Sequence, residues 1–234
     1  MALAAALAGG LALLWSDRDH PDTDPAPPAA ASSSTAPAGD GGSTASSAPT
    51  TTTTVDPGAL VATDRFLAAP GGSPVVGSGP LRTYVVEVEE GIPIDPAEFA
   101  AAVDATLADQ RGWTALGDVS LRRVAAEEAP SFRVRLATPA TVDAHCAPLQ
   151  TAGIYSCRQG ADVMINVRRW LLGAAESQLS LEDYRHYVIS HEVGHALGHG
   201  HAACPGPGVI APVMLQQTKG LGGCRPNPWP YPDG

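Results

Sequence analysis

Lysine is almost missing from this chain: Lys219 is the only one in 234 residues, and Lys and Arg together number 14 against 24 Asp and Glu. The formal net charge of −10 sets aside nucleic acid as a partner, because that partner is held by clustered cations. No CxxC spacing occurs among the four cysteines, Cys146, Cys157, Cys204 and Cys224, which argues against a cysteine-type structural zinc site. Their even number suits disulfides made in an oxidising compartment, with three pairings open. Proximity favours Cys146–Cys157 and Cys204–Cys224. Long apolar runs are also lacking. Residues 1–15 (MALAAALAGGLALLW) are apolar and uncharged, but a bilayer span needs about 20 such residues. No basic stretch precedes this run, and no small-residue cleavage pattern follows Trp15. Two readings stand: the trailing part of a membrane anchor, or a degenerate signal peptide. No basic cluster after the run holds the rest of the chain in the cytoplasm, so both readings export it. Membrane contact is expected through this segment alone.

Residues 16–57 are Ser, Thr, Pro, Ala, Gly and Asp, closing on Thr50 to Thr54. They cannot bury enough apolar surface to offset the entropy of ordering, which predicts a disordered linker. The composition permits O-glycosylation, and no solenoid repeat is present. From residue 58 to 234 the composition is that of one globular domain. Leu81–Glu89 is β-branched and bounded by Gly-Pro and Gly, a strand pattern. Asp95-Pro96 opens a helix to about Asp109, with Phe99, Val103 and Leu107 on one face. Val119–Ala125 and Phe132–Ala137 read as strands, the second with Arg133 and Arg135 on one side and Val134 and Leu136 on the other. Ile154–Cys157 and Ala161–Val167 can form a hairpin. Ser180-Leu181-Glu182-Asp183 is a capping pattern for a long helix to about Leu197. Strands first, then a long helix and a non-helical C-terminal part, predict an α+β domain with a small mixed sheet.

The long helix carries the chemistry. Residues 191–201 read HEVGHALGHGH. His191 and His195 are four apart, so their imidazoles share one helix face and can reach one ion. Glu192 stands beside the first of them and can take a proton from water without being a ligand. Gly198 can adopt a conformation closed to other residues and turn the chain, returning His201 to the same ion. Three neutral nitrogens and one open position describe a catalytic zinc site, whereas a structural site is closed by four protein ligands. His199 falls outside the spacing and is expected to face solvent or to support a ligand. His186 lies some 140° off the ligand face at 100° per residue, and His145 neighbours Cys146; both read as structural. The closing PNPWPYP segment is expected to pack Trp229 and Tyr231 over the domain.

HExxHxxGxxH followed by a Met-turn resembles the metzincin signature. Pro212-Val213-Met214-Leu215 places a methionine 13 residues past His201. More narrowly, YRHYVISHEVGHALGHGH, the Cys-Pro after it, APVMLQQ and NPWPYP resemble an actinobacterial domain family of unknown function, secreted or membrane-anchored and metzincin-like. The resemblance runs over roughly residues 60–234. It implies zinc held by His191, His195 and His201, a catalytic Glu192, and Met214 as a hydrophobic floor beneath the metal. A Cys204–Cys224 bond would bracket that floor. Some metzincins carry a tyrosine two residues past the methionine, and here that position is Gln216, which leaves transition-state stabilisation unassigned. The resulting expectation is an extracytoplasmic zinc metalloendopeptidase acting on a peptide or protein, with Glu192 assisting attack by a zinc-activated water. The alternatives are a zinc amidase or deacylase on cell-envelope material, or a non-catalytic metal-stabilised envelope protein. Ala161–Val167 is either an edge strand that adds substrate backbone to the sheet or an ordinary core strand.

Overall fold

Leu81–Glu89 (β3) is the strand about which the sheet is built, in a computed structural model that describes residues 55–234. The expectations for residues 1–15, and for 16–57 apart from its last three residues, lie outside the described residues. β3 pairs in parallel with Ser120–Arg123 (β4) on one side and Phe132–Ala137 (β5) on the other. β5 in turn pairs in parallel with Asp162–Asn166 (β7). Parallel neighbours require crossover connections. Pro96–Ala108 (α1) provides the one from β3 to β4, and Pro139–Cys146 (α2) lies on the one from β5 to β7. Phe66–Ala68 (β1), Val76–Gly77 (β2) and Cys157–Gln159 (β6) add antiparallel to β3, β4 and β7. The sheet is therefore mixed and seven-stranded, and the class is α+β.

Side chains sort by the two-residue period of the strands. Tyr84, Val86, Val88, Val134, Leu136, Val163 and Ile165 share one buried cluster with Phe99, Val103 and Leu107 of α1 and with Leu181–Ala196 (α4). The opposite face holds a smaller cluster under α2, with Ala137, Val142, Met164 and the Cys146–Cys157 disulfide. Arg133 and Arg135 emerge there and both pair with Glu87, at 3.3 and 2.6 Å. Val167–Leu172 (α3) follows β7 directly and leads towards α4. Among the described residues no helix is long and apolar enough to cross a membrane.

Two strand expectations are corrected. β7 lies between β5 and β6 and is not an edge, so the reading of Ala161–Val167 as an edge strand fails. The edge is β6, which begins at Cys157; the preceding Ile154–Ser156 is not strand, because Ile154 and Tyr155 donate their N–H groups to the Thr151 carbonyl in a turn. The hairpin expected here exists, but three residues later on its first arm.

Glu89, at the end of β3, was not foreseen. It is 1% exposed, and its carboxylate accepts from Thr63 N (2.6 Å), Asp64 N (3.0 Å), Thr138 N (2.7 Å) and Thr141 Oγ1 (2.6 Å). It thus joins the N-terminal arm to the start of α2. Burial alone would raise its pKa, but these hydrogen bonds outweigh burial and hold it below the ordinary carboxylate value. A depressed folded-state pKa contributes stability above the unfolded value and loses it as pH falls through the folded one. Glu89→Gln is expected to cost about 2–4 kcal/mol in urea unfolding at pH 7, with the gap to wild type narrowing below about pH 4. A gap of equal size at pH 3 and pH 7 would remove the carboxylate from this role.

Candidate metal centre

α4 begins where Ser180 Oγ accepts from Asp183 N at 3.0 Å, with Glu182 and Asp183 complementing the helix dipole in the first turn. Its buried side includes Tyr184, Tyr187, Val188, His191 and Glu192. The helix stops after Ala196. Gly198 takes φ +101°, a conformation that other residues resist, and His199 N then closes back on the Gly194 carbonyl at 2.9 Å. This reversal returns His201 to the helix it has just left.

His191, His195 and His201 come together, one ligand atom from each lying within 4.8 Å of the others. Nε2 of His195 and Nε2 of His201 are 3.1 Å apart. Nitrogens about 2.0–2.1 Å from a tetrahedral zinc stand about 3.3 Å from one another, so the spacing suits such an ion. The supporting hydrogen bonds fix the tautomers. His191 Nδ1 donates to the Val213 carbonyl at 2.9 Å, and His195 Nδ1 donates to the His199 carbonyl at 2.8 Å. Each therefore presents its Nε2 lone pair to the shared point. Burial lowers the His191 pKa to about 3 and also lowers those of His195 and His201, so the three rings are neutral at pH 7 and free to bind a cation. Burial pushes the Glu192 carboxyl up to about 8, and no side chain among the described residues bonds to it. A cation beside it would favour its charged form.

Met214 lies against the helix between the two histidine turns. A Cβ on Gly194 would fall 2.6 Å from Met214 Sδ and 2.6 Å from Trp113 Cζ2. The Gly within HEVGH is thus needed because a thioether and an indole press on the helix backbone there. Trp113 is also anchored, its Nε1 donating to the Ser190 carbonyl at 2.8 Å. Ala202 N donates to the Met214 carbonyl at 3.0 Å, tying the His201 arm to the methionine segment. Tyr187 hydroxyl donates to the Leu215 carbonyl (2.9 Å) and accepts from Gln217 N (2.8 Å). Gly194→Ala is expected to cost about 1–3 kcal/mol by displacing Met214 and Trp113, and to weaken zinc binding with it. Urea unfolding with a zinc titration checks both; wild-type values would show that the contact is soft.

A cleft of about 600 Å³ opens over the three histidines. Glu192 and the histidines of the helix line it, together with Tyr155 to Arg158 and with Gln216, Thr218 and Lys219. The remaining expected residues fall as follows. His199 is outside the cluster: its ring stacks on Trp113 with centroids 4.2 Å apart, and its carbonyl accepts from His195 Nδ1. His186 bonds Thr106 and lies on Trp229; His145 pairs with Asp64 at 2.6 Å. Trp229 is buried, and Tyr231 meets Trp113 edge-on, the packing expected of the C-terminal segment. The disulfides are Cys146–Cys157 and Cys204–Cys224, the pairs that proximity favours, and they fit an oxidising, extracytoplasmic location. Sequence reasoning missed Trp113, Tyr155, Arg158 and Tyr187 at this site. Only Tyr187 left a signal, being one turn before His191 on the same helix face.

The fold and site define an α+β, disulfide-bonded domain with a three-histidine centre able to hold a metal. The chain belongs to the family described as protein of unknown function (DUF3152), which matches residues 55–223. No curated protein and no solved structure matches it.

Proposed function

We propose that this domain is an extracytoplasmic, metzincin-like zinc peptidase, reached by a secreted or membrane-anchored chain. The observation that carries the reading is the unpartnered, buried Glu192 carboxyl beside three convergent neutral histidines in an open cleft. A closed structural site has no use for such a carboxyl. His191, His195 and His201 would hold the zinc, which when bound supplies Lewis acidity to water and to the substrate's acyl oxygen. Glu192 accepts the proton of the attacking water and delivers it to the leaving amide nitrogen. The carbonyls of Val213 and His199 keep two ligand rings in the tautomer that binds. Met214 packs against the helix at Gly194, a contact that supports reading it as the Met-turn methionine. β6 runs along the cleft with no strand on its outer side among the described residues, so an extended peptide can add there.

The test is direct. Purified domain should contain one zinc, lose it to a chelator, and cleave an unstructured protein only when zinc is restored. A site that takes no zinc on reconstitution, or a zinc-loaded domain inert towards unstructured proteins, overturns the reading.

A further inference from the structure

The cleft carries two cations and no anion that answers them. Arg158 on β6 and Lys219, five residues past Met214, both line it, and Glu192 is the only acidic residue lining it among the described residues. Neither cation makes an ion pair among the described residues. Lys219 has only the Tyr155 ring, 5.0 Å from its Nζ. In a chain with one lysine and a net charge of −10, that lysine stands in the cleft. Its position is built. Lys219 ends a turn, Gln217–Lys219, whose Gln217 is fully buried and exchanges two amide hydrogen bonds with Asn227, at 2.7 and 3.0 Å. Thr218 is held by the Tyr184 hydroxyl at 2.8 Å.

We propose that the cleft selects substrates bearing a carboxylate close to the bond that Glu192 serves, with Arg158 and Lys219 as its receptors. This rests on the peptidase reading. Arg158 presents a planar fork to a carboxylate and Lys219 a movable point charge, and both line the cleft in which the carboxylate would sit. The carboxylate can be an Asp or Glu side chain within an extended peptide, or the free C-terminus of a short one.

Three N-acetylated hexapeptides separate these cases: neutral and C-amidated; the same with one central Glu; and neutral with a free C-terminus. Calorimetry measures their binding to metal-free wild type and to zinc-loaded Glu192→Gln, which holds peptide without consuming it. At least one carboxylate peptide should bind ten-fold or more tighter than the neutral amide in both forms, and which one does so names the source. The preference should fall at least five-fold in Lys219→Met and in Arg158→Gln, and should weaken with salt. Both residues are exposed, so thermal melts should match wild type. Equal affinities, a preference that survives the double variant, or one that vanishes with the metal would each overturn the proposal. Selective binding with no cleavage by wild type supports the carboxylate receptor and removes the peptidase reading. Equal cleavage of all three peptides without a binding preference does the reverse.

Discussion

Glu192→Gln should retain one zinc per domain and wild-type unfolding while turnover falls by roughly 10²–10⁴-fold, the usual contribution of a positioned general acid–base group. The substitution keeps shape and volume, and the carboxyl it replaces is buried with no side-chain partner, so no native hydrogen bond is lost. What is lost is the capacity to take a proton from water and hand it on. His191→Ala is the contrasting variant. It removes a ligand ring and leaves the Val213 carbonyl without its donor, so it should lose zinc outright. Chelator competition and single-turnover kinetics on both variants separate the two roles. A Glu192→Gln protein that releases zinc as readily as His191→Ala would make Glu192 a ligand or a scaffold.

The second large effect is expected from the Cys204–Cys224 bond. Cys204 lies three residues past His201, and its partner closes the segment that contains Met214. This segment is rich in Gly and Pro but not without hydrogen bonds: Gly208 N reaches the Gly223 carbonyl, and Ala211 N and Arg225 N bracket a bridge between Ile210 and Arg225. Ala211, Leu221 and Cys224 form a small cluster of their own with Leu215 against it. The disulfide fixes this cluster, and the cluster fixes the carbonyls of Val213 and Leu215. The first of these accepts from His191 and the second from Tyr187. Cys204→Ser should therefore weaken zinc binding about 10–100-fold, as loss of a ligand's support does. Cys146→Ser should leave zinc binding near wild type, because that bond joins α2 to β6. Both should lose roughly 3 kcal/mol of stability, since the two closed loops differ little in entropy. Equal zinc affinity in the two variants would detach the clasp from the metal centre.

Much of the fold is legible in local sequence pattern. β3 runs over the residues that β-branching and flanking glycines marked, β5 over those that alternation marked, and α1 and α4 start at the caps read from Asp95 and Ser180. The three histidines were legible because two share a helix face and the third follows a glycine whose φ only that residue adopts readily. β6 was misplaced for a reason of the same kind. Ile154 and Tyr155 have strand propensity, but the Thr151 carbonyl captures their N–H groups in a turn, and a competing local hydrogen bond outweighs propensity.

Other features depend on residues far apart in the chain. The pairing order that makes β7 interior and β6 the edge is set by which strands find partners, and no single strand encodes it. Glu89 draws its four donors from residues 25 to 52 positions away, so nothing near it in the sequence marks it as buried. The Val213 carbonyl on His191 and the pressure of Trp113 and Met214 on Gly194 are contacts of the same type. So is the meeting of Lys219 with Tyr155 in the cleft. The sequence by itself determined which residues could bind a metal and move a proton, because helical spacing and side-chain chemistry are local properties. Tertiary structure decided how those groups are oriented, what supports them and what charge surrounds them, because hydrogen bonds, burial and fields act through space between segments remote in sequence.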